Sequence, residues 1–298
     1  DDGGYDMTNL RATKDGKYSI QTGQYRGQTM DIKNEITNNA AQLKSYWQYD
    51  LNGKQVTYMP DIDPYFWMRY ARNYLDKGML GDVINKDGKE LDNHMVAPNG
   101  KIVDLSSAGT VPILIAWNHR IYSLFVSSTD LIQSAAVLPI LIVALSVIPA
   151  FLLGRRLAGN VGGFFAASML AVSTAAVGRT LWGHPDTDGF NLLFPMLVMW
   201  MAVEALDATT WIKKVVWGCL AGLVIGLYAF AWSGWWYLLD FTLGAFGLLG
   251  LYIIISDGLK IGLTKAIDPR HNKAWASTLI VFGSIILACT IFMSTFLS

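Results

Sequence analysis

The chain has 298 residues, no net charge, 52% hydrophobic residues and only 15% charged ones, against about 25% charged in an ordinary soluble domain. With no excess of basic residues, composition gives no nucleic-acid partner. From about residue 130 the apolar residues gather in runs of 18 to 24, the length that crosses about 30 Å of hydrocarbon. Composition therefore divides the chain into a polar segment, 1–129, and a membrane-embedded helical part, 130–298.

Residues 1–60 are rich in Asn, Gln, Thr, Lys and Gly, with a short helix expected between Ile32 and Trp47. Around Asp61-Ile62-Asp63-Pro64-Tyr65-Phe66 a second helix is expected. Pro64 suits the first helical position, where its missing N–H costs nothing, which makes Asp63 the N-cap. Gly78 is a plausible stop. Residues 80–110 read as a loop with turns at Asp87-Gly88 and Pro98-Asn99-Gly100, carrying His94. Residues 111–127 are apolar but broken by Asn118-His119-Arg120, and read as a helix lying along an interface.

Six spans are then expected, at 130–153, 161–178, 189–206, 213–232, 235–256 and 276–297. Cys219 and Cys289 fall in apolar runs and read as packing residues. The chain opens on Asp1-Asp2 and closes inside an apolar run, and so reads as part of a longer polypeptide. Loop charge sets an orientation. The loops at 154–160, 207–214 and 257–273 hold Arg155, Arg156, Lys213, Lys214, Lys260, Lys265, Arg270 and Lys273, whereas the short loops opposite hold only Arg179. Lys and Arg collect on the cytoplasmic side. Residues 1–129, the loop around Asp186 and the turn Trp232-Ser233-Gly234-Trp235 are then all expected on the external face.

That placement puts Asp63, Asp186, Asp188, Arg179 and Ser233 on one membrane face. Asp186 and Asp188, spaced i, i+2 in a loop, can close on one hard cation. Mg²⁺ or Mn²⁺ prefers oxygen ligands and takes one or two carboxylates with water and a substrate phosphate. Asp63 would complete a three-carboxylate cradle. The plainer alternatives are helix capping for all three acids, a snorkelling interface anchor for Arg179, a solvated surface position for His94, and an aromatic belt for Trp182, Trp232, Trp235, Trp236 and Tyr237. Ser233, in its Gly-flanked turn, is either a turn residue or a donor to a phosphate.

Three motifs resemble one family. Asp63-Pro64-Tyr65-Phe66 with Arg69, Ala71 and Arg72 is similar to the first acidic motif of oligosaccharyltransferase catalytic subunits of the STT3 and AglB type. Arg179-Thr180 with Gly183-His184-Pro185-Asp186-Thr187-Asp188 resembles their second acidic motif, and Gly226-Leu227-Tyr228 with Ala231-Trp232-Ser233-Gly234-Trp235-Trp236 resembles a turn between two later spans. The motifs occur in the family's order across about residues 58–240 and look archaeal.

The resemblance implies an all-α, multi-span membrane glycosyltransferase of the GT-C type with a large external first loop. It implies transfer of an oligosaccharide from a dolichyl phosphate or pyrophosphate carrier to Asn in an Asn-X-Ser/Thr acceptor polypeptide, at the external face of a cell membrane. Asp63, Asp186 and Asp188 match metal-binding acids for Mn²⁺ or Mg²⁺, with His94 as a loop histidine that could join them. Arg179 matches a family arginine near acceptor and metal, and Ser233, with Trp232 beside it, falls where the family places groups near the carrier's phosphates. The family's late external loop with its Glu, and its soluble domain with a Trp-Trp-Asp motif, lie outside these residues. A protein O-mannosyltransferase would give similar hydropathy. A transporter is disfavoured because the spans are nearly free of charge apart from Asp240 and Glu204, near span ends.

Overall fold

In the computed structural model, residues 10–13, 17–21, 26–51, 53–103, 109–126 and 130–296 are described. The chain forms two compact units, 1–58 and 59–298. The division thus falls well before residue 129, and residues 59–126 belong with the helices that follow.

The first unit holds a small antiparallel sheet of β1 (Leu10–Ala12), β2 (Tyr18–Ile20) and β3 (Thr29–Met30), then helix α1 (Ile32–Tyr46) and a hairpin of β4 (Gln48–Leu51) and β5 (Lys54–Thr57). Helix α1 begins where Asp31 accepts from the Asn34 amide at 3.1 Å.

The second unit opens with α2 (Asp63–Lys77), which ends on Gly78 in the left-handed conformation, φ +75°. Its N-cap is Ile62 rather than Asp63, and no side chain caps it. Ile62 is already helical, and its carbonyl accepts from the Tyr65 amide. Asp63 is therefore a first-turn residue, and the capping reading of Asp63 is withdrawn. The expected loop at 80–110 instead contains a three-stranded antiparallel sheet, β6 (Val83–Ile84), β7 (Glu90–Asp92) and β8 (Lys101–Ile102). These strands are too short to show alternation.

An ion-pair network ties this sheet to α2. Fully buried Asp92 accepts from the Arg69 guanidinium and from the Tyr70 hydroxyl at 2.7 Å. Arg69 also reaches Asp82 at 3.0 Å, and Asp82 accepts from Asn73 at 2.9 Å. Burial alone would raise both carboxyls. Hydrogen bonds outweigh it, from Asn73, His94 and the Asn93 amide for Asp82, and from Arg69, Tyr70 and the His94 amide for Asp92. Both carboxyls sit below the usual range, Asp92 well below it.

Helix α3 (Val111–Tyr122) packs between α2 and α4 (Leu131–Ala171). At 12 residues it is too short to span. The polar residues that interrupt its apolar run dock it: Asn118 donates to the Ser134 carbonyl, and His119 Nδ1 lies 2.9 Å from the Ser134 hydroxyl. Helix α4 is two legs joined at Ala158–Gly159, where Gly159 takes φ +68°. The second leg, 160–171, folds back on the first, since a Cβ at Gly163 would lie 2.8 Å from the Phe151 carbonyl. The expected span at 161–178 is thus broken, ending in a separate helix α5 (Thr174–Arg179) that Ser173 caps.

Four more helices follow: α6 (Phe190–Asp207), α7 (Trp211–Ala231), α8 (Trp236–Ile261) and, after the short α9 (Leu263–Ile267), α10 (Lys273–Phe296). Among the described residues five helices are long and apolar enough to cross a membrane, the long α4 counted once. Helices α7 and α10 share the most extensive contact. It runs along Gly218, Gly222 and Gly226, spaced four apart on α7; a Cβ at Gly218 would lie 2.8 Å from the Ser284 Cβ. Small residues let backbones approach, which substitutes for hydrophobic drive inside lipid.

Two outcomes are expected. Gly222→Val, whose Cβ would overlap the Ile285 backbone carbonyl and crowd Ala288, should lower the thermal midpoint in detergent by an amount equivalent to about 1–3 kcal/mol or more, while Gly244→Val on open α8 surface leaves it unchanged. Asp82 and Asp92 have depressed folded-state pKa values, so their stabilisation is full above the ordinary carboxylate value and is lost progressively as pH falls below that value and through the folded ones. Pepsin should cut within residues 80–103 earlier than within the spans on acidification, and Arg69→Met should move that onset to higher pH.

Candidate functional site

The loop between α5 and α6 is held by its backbone. The Gly183 amide donates to the Ala136 carbonyl of α4 at 3.2 Å, at φ +91°, which favours glycine. The His184 amide donates to the Leu181 carbonyl, and Pro185 is fully buried. This fixes the chain on either side of Asp186, which sits in extended conformation before a 3-10 turn, Thr187–Gly189.

The two oxygens of Asp186 have separate surroundings. Oδ1 accepts from the Thr187 amide at 2.6 Å and from the Trp67 indole N–H at 3.2 Å. Oδ2 lies 3.9 Å from His184 Nε2. Asp188 Oδ2 is also 3.9 Å from that nitrogen, and 3.6 Å from Arg179 Nη1. One atom each from His184, Asp186 and Asp188 falls within 4.8 Å of the others. His184 is 8% exposed, and its Nε2 is buried with no hydrogen-bond partner among the described residues. A buried polar atom left unpaired in this way calls for an explanation.

Asp186 and Asp188 open onto a cavity of about 350 Å³ that Asp63, Trp67, Asn191, Trp232 and Ser233 also line. The wall opposite is the C-terminal end of α7, pinned by the Thr110 amide donating to the Phe230 carbonyl at 2.7 Å. A Cβ at Gly109 would lie 3.0 Å from that carbonyl. Burial, then the carboxylates of Asp186 and Asp61, push the Asp63 carboxyl above its ordinary value, with His184 opposing. Asp63 and Asp186 thus feel one another across the cavity.

Of the residues singled out from sequence, Asp63, Asp186, Asp188, Trp232 and Ser233 line this one cavity, and Arg179 approaches it through Asp188. His94 does not join them. Its Nδ1 sits 3.0 Å from Asp82 and 2.7 Å from Arg69, in the network beside β7. A guanidinium in the midst of those acids already supplies their positive charge, so His94 is corrected from a ligand of the Asp186 group to a member of that network.

Two residues escaped the sequence reading. Trp67 stands four after Asp63, on the same face of α2. His184 stands four before Asp188 inside the second motif. Both spacings were visible. The donor set fits a divalent ion: two carboxylates and an imidazole are ordinary ligands. Two ligands with bonds of about 2.1 Å can be no more than about 4.2 Å apart, which admits the separations of 3.9 Å.

Apolar, membrane-length helices gathered under a carboxylate-lined cavity define a multi-pass membrane protein with a polar site at one end of its bundle. The chain belongs to the oligosaccharyl transferase STT3 family, matching the profile of that family's N-terminal region over residues 37–297. It is 28% identical over 255 residues to a dolichyl-phosphooligosaccharide-protein glycotransferase of Methanococcus voltae, covering 84% of this chain and 27% of the relative. It is 29% identical over 177 residues to the dolichyl-monophosphooligosaccharide–protein glycotransferase AglB of Haloferax volcanii, covering 53% of this chain and 16% of that one. The chain thus spans about a quarter or less of these relatives. Its fold is similar to that of the Archaeoglobus fulgidus oligosaccharyltransferase solved with Zn and sulfate, with a TM-score of 0.54 at 15% identity, over 88% of this chain and 35% of that one. The multi-span helical fold expected of the family is the fold observed.

Trp67→Phe keeps an aromatic ring on α2 but removes the indole N–H that donates to Asp186. Because partners of this kind are worth about 10–100-fold in metal affinity, titration of Mn²⁺ into the purified protein should show binding weakened at least about tenfold, with the thermal midpoint of the ion-free protein nearly unchanged.

Proposed function

We propose that this chain is the N-terminal membrane part of an oligosaccharyltransferase, moving an oligosaccharide from a dolichyl phosphate or pyrophosphate carrier to the side-chain amide of Asn in an Asn-X-Ser/Thr polypeptide. The observation that carries the reading is the meeting of two acidic motifs in one cavity: Asp63 from α2 with Asp186 and Asp188 from the loop before α6. The family match favours it over a protein O-mannosyltransferase.

The chemical difficulty is the nucleophile, an amide nitrogen whose lone pair is shared with its carbonyl. Asp63, on the first turn of α2 and lining the cavity beside Asp186 and Asp188, is suited to accept a hydrogen bond from the acceptor amide N–H₂. Asp186 and Asp188 would hold Mn²⁺ or Mg²⁺, which supplies orientation of the acids and offsets charge on the departing phosphate. Trp67 and the Thr187 amide fix the Asp186 carboxylate, so little reorganisation accompanies binding. Arg179, beside Asp188 and well exposed, offers positive charge to an approaching phosphate, and Ser233 offers a hydroxyl in the same wall. The loop-charge asymmetry supports an external-facing site in a cell membrane.

Asp63→Ala or Asp186→Ala, placed in the full-length polypeptide, should lower transfer to an Asn-X-Thr peptide by roughly 10²–10³-fold or more, with membrane insertion intact. Wild-type rates from either variant would refute the proposal.

A further inference from the structure

The second acidic motif carries a nitrogen that the three-carboxylate scheme leaves unused. His184 Nε2 is buried, without a hydrogen-bond partner among the described residues, and faces Asp186 Oδ2 and Asp188 Oδ2 at 3.9 Å each. That distance is too long for a hydrogen bond. Simple packing does not account for the residue either, because an apolar side chain would fill the space without leaving a nitrogen unsatisfied. The ring's location is also not accidental. The His184 amide is bonded to the Leu181 carbonyl, its own carbonyl accepts from the Asp186 amide at 2.9 Å, and buried Pro185 follows it. The imidazole is held beside the acids by the same short turn that presents Asp186.

We propose that His184 Nε2 is a third protein ligand to the divalent cation held by Asp186 and Asp188, and that this nitrogen tilts the site toward a borderline ion such as Zn²⁺ over Mg²⁺. The inference rests on the reading that the two acids hold a cation. It adds the donor set and the selectivity that follows. The opposing carboxylate oxygens are equidistant from the nitrogen, so one ion between the three satisfies it and relieves repulsion between the acids in a single step. Oδ1 of Asp186 is already engaged by Trp67 and Thr187, which leaves Oδ2 as its free donor on the side where the imidazole lies. An all-oxygen set suits Mg²⁺, which keeps its waters and gains little from imidazole, while an N,O,O set favours later first-row ions.

The test is binding, read without turnover. Zn²⁺, Mn²⁺ and Mg²⁺ are titrated by calorimetry into the purified wild-type protein in detergent, and into His184→Phe and Asp186→Ala. His184→Phe should weaken Zn²⁺ at least about tenfold while changing Mg²⁺ less than about threefold. An unchanged ratio of Zn²⁺ to Mg²⁺ affinity overturns the ligand assignment. Undiminished binding in Asp186→Ala, or no binding by the wild type, overturns the cation reading beneath it. Pulsed EPR of Mn²⁺ on the wild type needs no variant to fold: ¹⁴N coupling from a coordinated imidazole is expected, retained in His94→Phe, and its absence overturns the proposal.

Discussion

Everything at the site depends on a carboxylate shared by two distant parts of the chain. Asp186 accepts from Trp67, 119 residues before it. That bond does little for stability, since a neutral donor to a partly buried carboxylate is worth only about 1–3 kcal/mol. It does much for geometry. It fixes one oxygen of Asp186 and so directs the other toward His184, and it places the first turn of α2, with Asp63, against the loop before α6. Neither motif alone makes a cavity. The bond makes them one surface.

The two ends of the bundle use charge differently. At the end opposite the cavity, Arg156 pairs with Asp207 at 3.1 Å and with Glu204 at 3.7 Å, and Lys214 donates to the Leu206 carbonyl. The Arg156 pairs are half-exposed and worth about 0–1 kcal/mol; they make a solvated boundary. At the cavity end, negative charges converge with one exposed arginine beside them. Close acids of this kind repel unless a cation arrives, and this repulsion adds to burial, the larger cause, in holding the Asp63 carboxyl above its ordinary value. Between the ends lie apolar helices held by close approach, with the glycine row of α7 against α10 as the tightest seam.

Much of this was legible in the sequence. Hydropathy located α6, α7, α8 and α10 to within about five residues, because roughly twenty consecutive apolar residues leave few alternatives, but it ended the first span at 153 where α4 runs on to Ala171, and it carried the second across the break before α5. Pro64 and Gly78 bracketed α2. What failed was finer. The strands between 83 and 102 are two or three residues long and carry no readable period. The capping residue of α2 shifted from Asp63 to Ile62, because Ile62 is itself helical, which no side-chain signal announces. The break between α4 and α5 was signalled by Ser173 before Thr174-Ala175-Ala176, an N-cap pattern hidden inside an apolar run. The spacing of Gly218, Gly222 and Gly226 was equally visible and went unused. Proximity between His94 and Asp82 is a tertiary fact, and a loop histidine offers no way to choose among acids. His184 was overshadowed by the two carboxylates that follow it.

The cavity walls come from α2, from Gly109 before α3, from the turn before α6, and from the C-terminal end of α7 with Trp232 and Ser233. A ribosome delivers these pieces in that order. The basin therefore lacks one wall until α7 has been threaded into the bilayer, and its earliest acid, Asp63, waits through more than a third of the chain before Asp186 follows. The histidine and two carboxylates of the turn before α6 emerge together, whereas Asp63 and Ser233 share one basin with the acids only once the end of α7 is in place.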